Sequence, residues 1–196
     1  MGQLIISVGR EFGSGGRVIA EELARRFDIP IYDRHLITEI AEKTGLSPEE
    51  IEKYNENPKH RIFSRNVRGY SNSIEDNIAE MQFDFIRKKA ESGESFVVVG
   101  RCSESKLKGF DGLVSLFILA DTDKKIERVM KVYELDEEQA KEFIIKKDKK
   151  RKRYHNYHCS GDWGDSRLYD LCINSSRLGI DGTIDILENY IKARNK

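Results

Sequence analysis

The chain has 196 residues, 35% of them charged and 38% hydrophobic, with a formal net charge of zero at pH 7. This length fits one domain with enough apolar material for a core, and a neutral chain has no global field that favours nucleic acid or acidic lipid. No apolar run is long enough to span a membrane, the N-terminus lacks a signal-peptide pattern, and three cysteines (Cys102, Cys159, Cys172) stand at unrelated spacings, so we expect a reduced, cytoplasmic protein.

The stretch from Leu4 to Phe27 predicts a strand, a glycine-rich turn and a helix. The run LIISV is typical of a buried parallel strand, and Val18, Ile19, Leu23 and Phe27 recur at helical spacing. The intervening GREFGSGGR combines glycines, which allow tight turns, with a helix N-terminus, which presents unpaired N–H groups. This pattern suits a phosphate cradle, although from the motif alone a structural tight turn remains equally open.

The glycine-rich turn departs from the phosphate-loop pattern G-x-x-x-x-G-K-[ST] at three positions. When the two are aligned on Gly15, Arg10 stands at the first glycine, Gly16 at the lysine and Arg17 at the Ser/Thr. A phosphate site here would need another cation, and Arg17 is the nearest candidate.

The chain up to residue 94 continues with one strand and several helices. We predict a strand at 29–33, a helix from Leu36 to Thr44 and a second helix start at Ser47. Residues 54–77 are mostly polar, and we interpret them as a solvated, mobile or partner-dependent loop whose basic residues could meet phosphate. A helix at 78–92 follows, and its inward side chains are predicted to be Met81, Phe85, Ile86 and Ala90.

The second half alternates strands and helices. Strands are predicted at 95–100, 114–120 and 169–174, and helices after Asp121, after a cap at 135–139, and at 176–192. Apolar strands alternating with helices indicate a parallel sheet covered on both faces, whose ligands lie at the carboxyl ends of the strands. The polar residues that follow those ends are therefore the candidate site: Arg10–Arg17, Asp33–Arg34, Gly100–Arg101, Asp121 and Asn174–Ser176.

Five motifs in this order resemble the P-loop nucleoside monophosphate kinases, and among them the cytidylate kinase-like family. They are GREFGSGGRVIAEELA, IPIYDRHLI, VVVGRC, DKKRKRY and YDLCINSSRLGID. The resemblance implies a single P-loop kinase-like domain over residues 1–196, a three-layer α/β/α fold and a five-stranded parallel sheet of order 2-3-1-4-5. It also implies an acceptor-binding insertion at 34–80 and a lid at 146–168.

The same resemblance assigns roles to individual residues, with ATP as donor and Mg²⁺ as cofactor. Donor nucleotide would be bound by Gly13, Ser14, Gly15, Gly16, Arg17, Ser175 and Ser176. Acceptor would be bound by Asp33, Arg34 and Arg101, although Cys102 replaces the aspartate of the family's G-R-D. The negative charge on the moving phosphoryl group would be neutralised by Arg17, Arg151 and Arg153, because phosphoryl transfer depends on positioning and electrostatic stabilisation.

The basic run at 146–153 allows more than one interpretation. It is compatible with a solvated helix face or a nucleic-acid patch, but Asp148 and Arg151 stand at i, i+3 and could act together in a lid. His155, His158 and Cys159 lacked both zinc-site spacing and a second ligand pair, so no metal ligand is predicted.

We therefore expect an ATP- and Mg²⁺-dependent phosphotransferase acting on a CMP-like nucleoside monophosphate or a similar small phosphorylated acceptor. A non-catalytic nucleotide-binding or regulatory protein is the alternative, because the loop lacks the usual lysine and hydroxyl. RNA binding through the segments around Arg61 and Lys150 is a third possibility, disfavoured by neutral net charge. No membrane partner is expected, and the sequence leaves the oligomeric state open.

Overall fold

The computed structural model describes residues 2–33, 66–67, 70–71 and 74–195. Arg34, the predicted helices from Leu36 and Ser47, and most of the predicted insertion at 34–80 lie outside these residues. Among the described helices, none is both long and apolar enough to cross a membrane.

The described elements follow the predicted alternation of strands and helices. The strands are β1 (Ile5–Arg10), β2 (Ile31–Tyr32), β3 (Asn66–Val67), β4 (Tyr70–Ser71), β5 (Phe96–Val99), β6 (Leu113–Leu119) and β7 (Leu171–Asn174). The helices are α1 (Gly16–Phe27), α2 (Ile74–Glu91), α3 (Ser103–Lys106), α4 (Thr122–Tyr133), α5 (Glu137–His158) and α6 (Ser175–Arg194), with a 3₁₀ turn at Ser166–Leu168.

Five strands form one parallel sheet in the order β2-β5-β1-β6-β7. Ile5 of β1 lies opposite Phe96 on one side and Leu113 on the other, so β1 is the central strand. Counting only these five strands along the chain, the order is 2-3-1-4-5, which confirms the predicted topology. The pair β3-β4 is a separate antiparallel ribbon.

Side chains of β1 alternate between the two faces of the sheet, and this alternation builds the three layers. Ile6 and Val8 pack with residues of α1 and α6, including Leu23 and Leu187. Ile5 points to the opposite face and packs with Phe85, Ile86 and Phe96 under α2. Because both faces are covered, the central strands β1, β5 and β6 are mostly apolar, as the sequence predicted.

Two inward side chains were predicted wrongly, and one helix begins earlier than expected. Val18 is 54% exposed, because the buried stripe of α1 runs through Ile19, Ala20 and Leu23 and leaves Val18 beside it. Met81 is 42% exposed, because the buried face of α2 is formed by residues such as Ala79, Phe83 and Ile86. Helix α2 begins at Ile74 rather than at residue 78, so part of the expected loop is helical.

The capping signal before α5 is confirmed in full. Asp136 accepts a hydrogen bond from the Gln139 backbone N–H at 2.8 Å, and the Gln139 side chain accepts one from the Asp136 N–H at 3.1 Å. The helix then continues to His158 without interruption. The basic run at 146–153 therefore lies on a regular helix, whose opposite faces have different surroundings.

Candidate active site

The glycine-rich turn joins β1 to α1 in a conformation that requires glycine. Gly13 and Gly15 both have φ of 80°, in the left-handed region, and Gly15 is the N-cap of α1. At Gly16 the limit is space, because a Cβ there would lie 2.6 Å from the Arg10 Cβ. The first turn of α1 can thus approach a ligand with its backbone N–H groups exposed on the N-terminal side.

Hydrogen bonds from several elements hold this turn in place. The Ser14 hydroxyl donates to the Glu11 carbonyl at 2.9 Å and accepts from the Gly16 N–H at 3.3 Å. Ser175, at the start of α6, donates its hydroxyl to the Ser14 carbonyl at 2.7 Å. The Arg128 guanidinium of α4 donates to the Gly13 carbonyl. Ser14 and Ser175 are fully buried, so the contacts that the structure gives them are supports for the loop.

A cleft of about 410 Å³ opens above the turn, between α1, α4 and α5. Its lining includes Gly13, Gly15 and Gly16 from the loop, together with Val18, Val129, Val132, Phe12 and Tyr133. Seven cationic side chains and two acidic ones also line it: Arg10, Arg17, Arg101, Arg128, Lys147, Lys150 and Arg151, with Glu11 and Asp33. A chain of zero net charge therefore concentrates positive charge at one place, which suits a polyanionic ligand.

Two of these arginines come from the carboxyl ends of adjacent strands. Gly100, Arg101 and Cys102, just after β5, have φ of 74°, 62° and 54°, three consecutive left-handed residues. Non-glycine residues in this region cost about 1–3 kcal/mol each, and such conformations cluster at functional sites. The guanidinium of Arg10, from the end of β1, crosses this turn so closely that a Cβ on Gly100 would lie 2.1 Å from its Nη1 atom.

Helix α5 packs directly on the glycine-rich turn. The Asp148 carboxylate accepts a hydrogen bond from the Phe12 N–H at 2.6 Å, and Arg151 donates to the Arg10 carbonyl at 3.2 Å. The Arg151 guanidinium also lies over the Phe12 ring, 5.2 Å from its centroid. We call this helix the lid helix, because it closes one side of the cleft with the face that carries Lys147, Lys150 and Arg151.

Asp148 is an acidic group held among cations at the base of the lid helix. Its Oδ1 atom lies 3.9 Å from Arg151, and its Oδ2 atom lies 3.9 Å from the Lys125 ammonium. Burial raises the pKa of Asp148 despite the hydrogen bond from Phe12 and these two cations. The carboxylate therefore lies beside Arg151 and occupies an N–H group of the glycine-rich turn.

Arg17 and Asp33 face each other across the other side of the cleft. The Arg17 Nε atom lies 3.3 Å from Asp33 and 2.9 Å from Glu21. About half of the Arg17 side chain is exposed, so these are surface ion pairs that a phosphate could displace at small cost.

The structure brings together seven of the predicted site residues around the cleft. They are Gly13, Gly15, Gly16, Arg17, Asp33, Arg101 and Arg151. Ser14 and Ser175 lie beneath the turn, and Ser176 accepts a hydrogen bond from the Asp121 N–H at 2.9 Å, outside the cleft lining. Arg153 lies on the exposed side of the lid helix, away from the cleft.

Sequence reasoning missed Arg128, which lines the cleft and contacts the loop. The available signal was its position seven residues after Asp121. Two helical turns separate the two residues, so Arg128 lies on the same face of the helix as Asp121. Lys147 and Lys150 fell within the predicted lid, but neither was assigned a role there.

These elements define the fold of a P-loop kinase: a glycine-rich turn after the central strand, a parallel sheet and a basic lid helix. Shikimate kinase from Bacteroides thetaiotaomicron has this fold, with a TM-score of 0.55 over 96% of this chain and 98% of that one, at 14% identity.

The chain belongs to the cytidylate kinase-like family, whose model matches residues 5–177. A relative from Methanopyrus kandleri named cytidylate kinase is 29% identical over 96% of this chain and 93% of its own length. A structure from Eubacterium ventriosum, described as that of an uncharacterized protein, is 40% identical with a TM-score of 0.77, over 97% of this chain and 99% of that one.

Proposed function

We propose that this protein is a nucleoside monophosphate kinase that transfers the γ-phosphate of ATP to a CMP-like acceptor. The observation that carries the proposal is the cleft itself, in which the glycine-rich turn, Arg101 and Arg151 converge from three separate elements. Family membership and the cytidylate kinases among the relatives support the choice of acceptor class.

In this proposal the donor phosphates bind the N-terminus of α1. Backbone N–H groups of the turn would contact phosphate oxygens, and the helix dipole would favour their negative charge. Arg17 and Arg128, on either side of the turn, would supply the positive charge that a lysine supplies in the usual motif. Ser14 and Ser175 would keep the turn in shape from below, because both of their hydroxyls are already hydrogen-bonded there.

The moving phosphoryl group would lie between Arg10, Arg101 and Arg151. A guanidinium is planar, permanently charged and able to bind two phosphate oxygens at once. Three of them converging on one cleft could neutralise the charge that spreads over the equatorial oxygens in the transition state. The acceptor phosphate is already anionic at neutral pH, so the reaction needs no catalytic base.

Asp33 is the residue that fits the Mg²⁺ of such a reaction. The Ser14 hydroxyl is fully buried and is used within the loop, whereas the Asp33 carboxylate lines the cleft near the phosphate-binding turn. Mg²⁺ usually keeps several waters and binds proteins through one or two carboxylates together with substrate phosphates. The ion would neutralise phosphate charge when bound, and Asp33 would hold it directly or through water.

The direct test is an assay of ADP release with ATP, Mg²⁺ and a panel of acceptors. The panel contains CMP, dCMP, UMP, AMP and GMP, together with shikimate as an acceptor that carries no phosphate. We expect turnover that depends on a nucleoside monophosphate and is fastest with CMP. Transfer to shikimate alone would show that the proposed acceptor class is wrong. If no acceptor received phosphate, the proposal that the protein is a kinase would be refuted.

A nucleotide-binding protein without turnover is the second candidate, and the loop itself favours it. Gly16 and Arg17 stand where the motif has lysine and Ser/Thr, and Asp148 occupies the Phe12 N–H. Calorimetry with ATP distinguishes the two candidates, because tight binding with no transfer to any acceptor selects the second.

A further inference from the structure

A cluster of four reactive side chains lies beside the cleft, and the proposed phosphoryl transfer makes no use of it. Cys102 and Glu104 come from the turn after β5 and the start of α3, while His155 and Cys159 come from the last turn of the lid helix. Cys102, Glu104 and His155 line a small cavity of about 30 Å³ that also touches Arg101 and Arg151. We call these four residues the thiol cluster.

The acid and the imidazole of the thiol cluster form a buried pair. The His155 Nε2 atom lies 2.8 Å from the Glu104 carboxylate, and their side chains are only 6% and 3% exposed. Although burial opposes a charge on the ring, the nearby Cys159 sulfur and the hydrogen bond with Glu104 raise the pKa of His155 to about 10. An imidazolium is thus held in place four residues before Cys159, on the same face of the helix.

The two thiols lie in one packed group next to the imidazole. Cys159 packs against the buried group that contains Cys102 and Tyr154, and each thiol shifts the pKa of the other. The carboxylate, imidazole and Cys159 sulfur atoms lie within 4.8 Å of one another. These contacts link the lid helix to the strand-end turn through four titratable side chains.

The surroundings of the two thiols make one more acidic than the other. Interactions with Cys102 and then with His155 outweigh burial and lower the pKa of Cys159. The pKa of Cys102 is raised, first by its bond to Cys159 and then by burial. Lys106 is the other charged group acting on Cys102, while α2 contributes the apolar Ala79 and Phe83 to the same cluster.

We propose that Cys159 is an oxidation site, at which a peroxide converts Cys159 and Cys102 into a disulfide that ties the lid helix to the strand-end turn of Arg101. The site stands on a carboxylate, an imidazole and the Cys159 sulfur within 4.8 Å of one another, with Cys102 in the buried group against which Cys159 packs. Cys159 is partly exposed, so a small oxidant can reach it, whereas Cys102 is buried behind it.

The chemistry takes place in two balanced steps. The Cys159 thiolate attacks one oxygen of hydrogen peroxide, the O–O bond breaks, and the products are a Cys159 sulfenic acid and hydroxide, which takes up a proton to become water. The Cys102 sulfur then loses its proton and attacks the Cys159 sulfur, so an S–S bond forms and the sulfenic oxygen leaves as water. Two thiols supply two electrons, and one peroxide is reduced to two waters.

The cross-link would act at the edge of the cleft. Arg101 directly precedes Cys102, and Arg151 lies two turns before Cys159 on the lid helix; both arginines line the cleft. A disulfide would therefore fix the distance between the lid helix and the turn that carries Arg101. Any opening of the lid helix along this edge would be blocked until a thiol reductant cleaves the bond.

Thiol reactivity can be measured with Cys172 as an internal control. Cys172 on β7 is also partly exposed, but burial raises its pKa and no imidazole is among the groups that shift it. We expect alkylation by iodoacetamide, resolved by peptide mass spectrometry from about pH 5 to 10, to reach half of its maximal rate at a lower pH at Cys159 than at Cys172. Parallel pH profiles for Cys159 and Cys172 would overturn the proposal.

Two variants test whether His155 activates Cys159. His155→Gln and His155→Asn both remove the ring that carries positive charge beside Cys159, so each should shift the Cys159 profile towards that of Cys172. Circular dichroism shows which of the two variants folds, and either one carries the test. An unchanged Cys159 profile in a folded variant would contradict the arrangement.

The disulfide itself is tested by peroxide treatment of the purified chain. We expect a peptide joining Cys102 to Cys159 that disappears with dithiothreitol, and in Cys102→Ser a Cys159 that proceeds to sulfinic acid. Cys172→Ser should form the disulfide as the unmodified chain does. Exclusive sulfinic acid at Cys159 in the unmodified chain would overturn the proposal, and so would one tightly bound zinc per chain that protects Cys159 from alkylation.

Discussion

The glycine-rich turn and the lid helix both face the same cleft, but they are specified in different ways. In the turn, residues 9–16, the backbone itself lines the cleft, and its shape depends on glycines and on supports such as Ser14 and Ser175. In the lid helix the backbone is a regular helix, and only the charges on one face reach the cleft.

This difference determines how each region tolerates change. A methyl group added to a glycine of the turn would collide with neighbouring atoms. Most basic residues of the lid helix, by contrast, do not line the cleft, so removing their charge leaves the cleft unchanged. Changes in the turn should therefore affect folding and binding together. Changes in the lid helix should separate catalysis from stability, residue by residue.

Gly16→Ala should produce the largest effect. The new Cβ would lie 2.6 Å from the Arg10 Cβ and 3.3 Å from the Ile118 Cβ, so the first turn of α1 must move. Overpacking of this kind costs about 1–3 kcal/mol, and a shift of about 1 Å at a catalytic site can lower turnover about 100-fold. Chemical denaturation and the ADP-release assay measure the two losses.

Gly182→Ala is the matched control, because Gly182 is a helical glycine that does not line the cleft. Alanine is favoured there by up to about 1 kcal/mol, and the nearest atom to its Cβ would be the Leu178 Cβ at 3.0 Å, which lies before the kink at Gly179. It should leave turnover unchanged. Equal loss of turnover in both variants would mean that the turn has no special constraint.

Arg151→Ala should come next, with a loss confined mainly to kcat. If Arg151 contacts the phosphoryl group in the transition state, its removal should lower kcat by about 100- to 1,000-fold with a small change in KM. Arg151→Lys should recover part of the loss, because a lysine keeps the charge but cannot bind two oxygens.

Lys152→Ala serves as the control on the same helix, since Lys152 is exposed and outside the cleft. Arg153→Ala then tests the second predicted lid arginine, whose exposed position leads us to expect a much smaller loss than at Arg151. A rise in KM alone for Arg151→Ala would reduce its role to ground-state binding.

The sequence predicted the turn and the sheet well because both depend on local, periodic signals. Apolar strands such as Phe96–Val99 and the capping box at Asp136 are recognisable over a few residues, and their confirmed positions fix the sheet order once the family resemblance is added. The positions of Asp33 and Arg101 just after two strands likewise indicated that both residues line the cleft.

What the sequence could not predict depends on long-range contacts. The hydrogen bond from the Phe12 N–H to Asp148 joins residues far apart in the chain, and no pattern in either segment announces it. Glu104 and His155 form their pair for the same reason, whereas His158, close to His155 in sequence, packs against Phe83 and Tyr154 instead. The side of a helix that faces a cleft is decided by such contacts, and so Arg151 and Arg153 separate only in the structure.

Arg17→Ala should have a moderate effect on ATP binding. Arg17 is on the first turn of α1 but acts through its side chain, which pairs with Asp33 and Glu21 at the surface. We expect about a tenfold rise in the KM for ATP, the equivalent of about 1.4 kcal/mol, with a smaller change in kcat. Glu21→Gln is the control that removes one ion pair and keeps Arg17. Unchanged ATP affinity and turnover in Arg17→Ala would show that another residue, such as Arg128, replaces the missing lysine.

Asp148→Asn should have the smallest effect, and that effect is on stability. Asp148 connects the two regions, because its carboxylate on the lid helix accepts the hydrogen bond from the Phe12 N–H in the turn. Burial raises the pKa of Asp148 in the folded state, so its stabilising contribution is largest when it is protonated and is lost as pH rises through that pKa. An asparagine keeps the oxygen that accepts the Phe12 N–H and removes the buried charge. We therefore expect Tm at pH 7 to rise by roughly 2–4 °C, the equivalent of about 1 kcal/mol, and the gain to disappear below about pH 4. A lower Tm at pH 7 would mean that attraction to Lys125 and Arg151 outweighs the cost of burial.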